Sequence, residues 1–382
     1  MFVMKRTGIA ELPLHYGSCP RWLFENMVKL ARAITEVIVY EYSQDEFLKR
    51  LSDPYWFQGF SCALGFDWNS SGVTTTVCGA LKMALNPEDF GIAICGGKGK
   101  TSKKTPEEIV KIGDIFSLSS KKIESLKYSS KLSAKVDNTG IQDGFNLYHH
   151  CIIFTEKGNW AVIQQGMNPE TRYARRYHWF GKKIDSFVNE PNHAICCDVK
   201  GKVLNMVAKE SEASRKACVD IANEDPQNIL GEIRQLKKPF QPFQKTLNEY
   251  SNIPVLEIPR RHHVVIKEDI NERSLKLILL KTYEKQVEDF EELIGMKGVG
   301  PKTLRALALT ADLIYGTEVS WRDPVKYSFS VGGKDGYPYK VKPRRMKKIS
   351  SILIDAIEQA RVERREKLHA IRRLNEFIST NY

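Results

Sequence analysis

The 382-residue chain reads as an α+β protein, with a large mixed α/β N-terminal domain followed by a helical domain that carries a helix-hairpin-helix. Three observations support this. Apolar residues recur at helical spacing near the start, short apolar runs bounded by tight turns occupy the middle, and almost everything after Ser274 has helical periodicity. The expected division is 1–252 for the mixed domain, 253–273 for an extended connector, and 274–382 for the helical domain with its basic tail.

Residues 20–42 form the first expected helix, because Leu23, Met27, Leu30, Ile34, Val37 and Ile38 share one face after Pro20. That face is either core or a homodimer seam. Ser52-Asp53-Pro54 is a capping sequence, with Pro54 at the first helical position of an aromatic-rich helix carrying Tyr55, Trp56, Phe57 and Phe60. Another helix starts near Ser70 or Ser71 and runs through Leu85. Thr105-Pro106-Glu107-Glu108 opens a further one, with acidic residues where the helix dipole favours them. Strands are expected from Gly91 to Cys95, and from Leu147 to Thr155 paired with Trp160 to Gln165 across Glu156-Lys157-Gly158-Asn159. Ile195 to Val199 and Val203 to Val207 flank Lys200-Gly201-Lys202 in the same way and read as a second hairpin. The last departure from helix is the Gly- and Tyr-rich segment from Tyr327 to Tyr339.

Leu293-Ile294-Gly295-Met296-Lys297-Gly298-Val299-Gly300-Pro301-Lys302-Thr303-Leu304 carries the clearest functional signal. Val287, Phe290, Leu293 and Ile294 give one helix, and Leu304, Leu307, Ala308 and Ala311 give the next. Gly298 and Gly300 permit a sharp turn, Val299 plugs the gap between the helices, and Pro301 suits the first turn of the second helix. The free N-H groups there, beside Lys297 and Lys302, form a phosphate site, so this is a module that grips a nucleic-acid backbone.

Composition agrees with that partner. The hydrophobic fraction of 42% is that of a soluble globular protein, and the formal charge is +12. Residues 340–382 hold twelve Lys or Arg against five Asp or Glu, a net of +7, so more than half of the excess follows the hairpin directly. The eight cysteines include no C-x-x-C pair, which supports neither a zinc knuckle nor a disulfide framework and fits a reducing cytoplasm. No segment has the length and apolarity of a signal peptide or a membrane span, so no membrane partner is expected.

Several motifs resemble a known family. Ala10-Glu11-Leu12-Pro13-Leu14-His15, Leu51 to Gln58, Gly65 to Gly72, Lys135-Val136-Asp137, Gln142-Asp143-Gly144, Gln164 to Met167 and Arg175 to Trp179 together resemble the prokaryotic family catalogued as domain of unknown function 763. The likeness covers nearly the whole chain. It implies a soluble protein with a helix-hairpin-helix tail, suspected to act on DNA, and transfers no catalytic residue. Asn69 and Val331 stand where the family pattern has histidine, which argues against metal ligands at those two positions.

The segment from Lys135 to Gln165 is the leading catalytic candidate. Lys135, Asp137 and Asp143 precede a strand bearing Tyr148, His149 and His150, with Gln164 and Gln165 on its partner. A magnesium or manganese ion held by Asp137, Asp143 and His150 would neutralise a phosphodiester and activate water, with Lys135 nearby. Strand alternation keeps His149 and His150 from lining the same pocket. Asp198-Val199-Lys200, with Asp185, Glu190 and His193 upstream, is a weaker nuclease-like alternative. Gly96-Gly97-Lys98-Gly99-Lys100-Thr101 lacks the first glycine of a phosphate loop, where Ile94 stands, and reads instead as a basic loop able to meet a phosphate through Lys98. Arg172, Arg175, Arg176 and His178, interleaved with Tyr173, Tyr177 and Trp179, offer phosphate contacts and stacking surfaces. His262 and His263 in the connector either close the site or form a polar linker.

The function expected from these readings is a divalent-metal-dependent nuclease acting on single-stranded, duplex or branched DNA in repair or recombination. The alternatives are a non-catalytic DNA-binding repair scaffold and a DNA glycosylase. The last rests on Gly-Val-Gly-Pro-Lys-Thr followed by Asp312 or Asp323, and no cysteine after Cys218 remains to hold an iron-sulfur cluster.

Overall fold

A five-stranded antiparallel sheet lies between two helical layers, and a small three-stranded antiparallel sheet flanks it. The computed structural model describes residues 19, 21–65, 72–171, 173–197, 199–237, 272–327 and 343–380. Ala10 to His15, Asn69, Arg172, Asp198, His262, His263 and Val331 lie outside the described residues.

The first helical layer comprises α1 (Arg21–Glu41), α2 (Gln44–Ser52), α3 (Pro54–Leu64) and α4 (Val73–Ala84). Asp53 caps α3 by accepting from the backbone N-H groups of Tyr55 and Trp56, ahead of Pro54 at the first turn. The apolar stripe of α1, with Met27, Leu30, Ile34 and Ile38, is buried within the chain and is core, not a seam. A short turn of helix, α5 (Pro87–Phe90), leads into β1 (Ile92–Lys98). Then follow α6 (Thr105–Ile115), α7 (Ser120–Lys135), β2 (Ile141–Gln142), β3 (Asn146–Thr155), β4 (Trp160–Met167), β5 (Ala174–Phe180) and β6 (Ala194–Cys196).

The large sheet runs β1-β3-β4-β5-β6. Successive side chains alternate between its faces, so each strand feeds two cores. One face presents Ile92, Ile94, Cys151, Ile153, Ala161 and Ile163 to α1–α4. The other presents Ala93, Ile152, Phe154, Val162, Tyr177 and Trp179 to a second core. The expected hairpin around Lys200-Gly201-Lys202 does not form: β6 pairs with β5, whereas β7 (Lys202–Asn205) pairs with β2 and with β8 (Ser320–Arg322). The two apolar runs therefore enter different sheets.

Among the described residues the remaining helices are α8 (Glu212–Asn223), α9 (Pro226–Lys237), α10 (Glu272–Lys285), α11 (Phe290–Gly295), α12 (Pro301–Tyr315), α13 (Pro343–Gln359) and α14 (Arg364–Thr380). The C-terminal helices are shared between the two cores. Leu279, Leu293, Ile294, Leu304 and Leu307 of α10–α12 join the core that holds Trp179. Leu353, Ile357, Ala370 and Leu374 of α13 and α14 join the one built on α1–α4.

Edge strand β1 approaches β3 closely at Gly96, whose φ is +98° and where a Cβ would meet the His150 carbonyl oxygen at 2.3 Å. A side chain there meets a steric clash with backbone and an unfavourable left-handed conformation. Gly96→Ala is expected to destabilise the fold by on the order of 1–3 kcal/mol, read by urea unfolding; an unchanged midpoint would mean that β1 is not held in this register.

Candidate functional site

The segment read from the sequence as a hairpin comprises α11, the turn from Met296 to Gly300, and α12. Gly298 adopts φ +103°, a conformation that disfavours any other residue, and Val299 is buried beneath it at 1% exposure. Gly300 differs from expectation: its backbone is extended, with φ −124° and ψ −176°, and a Cβ there would meet nothing within 4 Å. The sharp turn thus rests on Gly298. Pro301 opens α12, while Lys297 and Lys302 are exposed on either side of the turn.

Two side chains from the expected catalytic segment hold this turn. Lys135 donates from Nζ to the carbonyl oxygens of Val299 at 2.6 Å and Met296 at 3.2 Å. Gln142 donates from Nε2 to Pro301 O at 3.0 Å and Thr139 O at 3.1 Å. Burial lowers the Lys135 pKa, with Lys131 adding repulsion. Lys135 therefore braces the turn between α11 and α12.

Beside the hairpin lies a cleft of about 630 Å³, bounded by α7, the turn at 99–104, the start of β3, Gly300 and Pro301. Its lining includes Lys103, Lys127, Lys131 and Lys135 and contains no carboxylate. Lys127 is paired with Glu124 at 2.7 Å, outside the lining. Asp289, which caps α11, and Glu292 within it line a separate groove that also touches Lys131 and Lys297. Lys98 is exposed where β1 ends.

The carboxylates expected to bind magnesium or manganese are buried instead. A π-type turn at Val136–Gly140 carries Asp137 inward, where it is 0% exposed. Its oxygens accept from Gln164 Nε2 at 2.5 Å, Trp179 Nε1 at 2.7 Å and Asn192 Nδ2 at 2.7 Å. Burial pushes its pKa up to about 8, with the three N-H donors and nearby Asp143 as smaller influences. Asp143 accepts from Tyr177 Oη at 2.6 Å and Phe145 N at 2.9 Å and is paired with Arg175 at 2.9 Å. Burial raises its pKa against the opposing pull of Arg175.

His150 is likewise engaged at both nitrogens, with Nε2 at 2.7 Å from Ser130 Oγ and Nδ1 at 2.8 Å from Gln164 Oε1. With Gln164 oriented to donate to Asp137, its Oε1 accepts from His150 Nδ1-H, and Nε2 accepts from Ser130. Burial brings the His150 pKa down to about 4. Asp137, Asp143 and His150 consequently form a polar core, and the expected hard-metal site is not assembled there.

Arg175 and Arg176 also depart from their expected place on a DNA-facing surface, each being 1% exposed. Arg175 lies between Asp143 and Asp323, with an Nη2 contact to Asp323 at 2.8 Å. Arg176 donates from Nε to His178 Nε2 at 2.9 Å, reaches Gln58 Oε1, and lies over the Phe57 ring. Tyr177, His178 and Trp179 are buried too, so these three rings offer no stacking surface. Asp323, one of the two glycosylase candidates, is occupied by Arg175, whereas Asp312 is exposed at the end of α12.

His149 points to the opposite face from His150, as strand alternation requires. With Cys78 of α4 and Cys151 of β3 it forms a buried group whose ligand atoms all lie within 4.8 Å of one another, a group able to hold a metal. Cysteine spacing does not disclose it, because the two thiols lie 73 residues apart.

This is an α+β protein in which the turn between α11 and α12 lies beside a lysine-lined cleft, and no described helix is long and apolar enough to cross a membrane. The chain belongs to the family described as protein of unknown function (DUF763), whose model matches residues 8–341. Neither a curated protein nor a solved structure matches it.

Removing Arg175 leaves Asp143 and Asp323 buried without their cation. Arg175→Met is expected to cost about 3–5 kcal/mol in urea unfolding; a loss below about 1 kcal/mol would show that the pair is not desolvated in solution. Asp137 supplies a pH signature. Its folded pKa of about 8 lies above the ordinary 3.8, so its contribution to stability is complete below pH 3.8 and is lost as pH rises through about 8. The stability of the native chain relative to Asp137→Asn should fall across that window and level off above it. A difference that does not change with pH would overturn this assignment.

Proposed function

We propose that this protein binds the phosphate backbone of DNA along the hairpin turn and the adjacent lysine-lined cleft. The supporting observation is the juxtaposition of the α12 N-terminus and exposed Lys297 and Lys302 with a cleft carrying four lysines and no carboxylate. Free backbone N-H groups at a helix start attract phosphate, and lysines along its path neutralise successive charges. Lys98, exposed at the end of β1, extends the same basic character. Contacts of this kind position a duplex or a single strand without reading its bases.

This reading corresponds to the non-catalytic DNA-binding alternative. Metal-dependent phosphodiester hydrolysis needs ligand oxygens that can reach a solvent-accessible metal. Asp137 and Asp143 have theirs committed to internal donors, so they give the nuclease reading no support. In manganese, end-labelled single-stranded, duplex and branched DNA should bind and remain full length. Fragments that disappear in Asp137→Asn would reinstate the nuclease.

Fluorescence anisotropy with these DNAs tests the interface. Each lysine-phosphate pairing removed lowers the logarithmic salt slope by about 0.9 on duplex DNA, so Lys103→Ala with Lys131→Ala should reduce it by about 1.8 and weaken binding to all sequences alike. Gly298→Val should weaken binding through the turn itself. A folded double variant with native affinity and slope would remove the cleft from the interface.

A further inference from the structure

We propose that Cys78, His149 and Cys151 form a zinc site that ties helix α4 to strand β3. His149 and Cys151 are two apart on β3 and therefore share a face, and α4 packs across that face and delivers Cys78. The three ligand atoms lie within 4.8 Å of one another. A tetrahedral zinc ion would draw thiolates and imidazole to roughly 3.5–3.8 Å of each other, a closure within reach of small side-chain rotations.

The burial of His149 is the second observation. It is 1% exposed, and neither ring nitrogen has a hydrogen-bond partner. A buried imidazole left in that state forfeits the hydration of two polar atoms. Coordination would satisfy one of them. Cys78 and Cys151 are buried free thiols, at 2% and 1% exposure.

The donor set selects the ion. Two sulfurs and one imidazole nitrogen suit zinc, whereas magnesium and manganese favour oxygen ligands. Zinc with two thiolates and a neutral histidine carries no net charge, which suits a site whose three ligands are all buried. Binding proceeds by ionisation of both thiols, with two protons released to solvent and no change in oxidation state. Among the described residues no fourth His, Cys, Asp or Glu joins the group, so water or an added ligand completes the coordination.

The test uses the full chain, loaded with excess zinc, freed of loose metal by dialysis and gel filtration, and measured by inductively coupled plasma mass spectrometry. The native protein should retain stoichiometric zinc. Cys78→Ser, Cys151→Ser and His149→Gln should each lose at least tenfold in occupancy, while Cys95→Ser, on the opposite face of the sheet, retains it. Cobalt provides a readout without mutation: the native chain should give an intense thiolate-to-cobalt absorption band in the ultraviolet. Far-UV circular dichroism establishes that each variant is folded. The proposal is overturned if the native chain holds no stoichiometric zinc, if zinc persists in all three ligand variants, if cobalt binds without the thiolate band, or if Cys78 and Cys151 are joined as a disulfide in protein purified without reductant.

Discussion

Arg175 is the charge around which the small sheet and the hairpin are arranged. Its guanidinium is withdrawn from water and meets Asp143 in the loop after β2 and Asp323 in the loop after β8. Asp323 also accepts from Gly201 N before β7. One buried cation therefore fixes segments from the loops around all three strands of the small sheet, and β8 follows directly from α12. A buried charge tolerates little displacement, because an ion pulled away from its partners has no solvent to replace them. That intolerance fixes the strand into which the end of α12 leads.

Around this anchor, the polar residues that read most readily as catalytic serve the architecture. Asp137 receives three N-H groups, and Gln164 links it to His150 and onward to Ser130. Lys135 and Gln142 then extend the same segment to the carbonyl oxygens of the turn. The polar interior and the outward-facing hairpin are continuous, which gives the turn a support that short helices such as α11 do not provide alone. Such networks are stabilising when every member is satisfied and costly when one is removed.

The legibility of the chain followed its periodicity. α1, α3, α6, the β3–β4 hairpin and the turn at Gly298 were readable because apolar spacing, caps and glycine act locally. The partners of β6 and β7 were not, since a short apolar run carries no label for the strand it will join. Nor did the sequence disclose that Arg175 and Arg176 turn inward: a strand's period of two places one on each face, but does not reveal that both faces are covered. The Cys78, His149 and Cys151 group escaped for a related reason, because α4 and β3 meet through folding across a long separation in sequence.

The placement of α13 and α14 bears on how the molecule is made. Leu353, Ile357, Ala370 and Leu374 are at or near full burial against the layer formed by the first four helices. During synthesis, that layer emerges early and waits for partners encoded at the far end of the chain. Until they arrive, apolar surface meant for a core stays open to neighbouring nascent chains, and long-range closure of this kind is slow. The N-terminal helices thus have a vulnerable interval before α13 and α14 cover them.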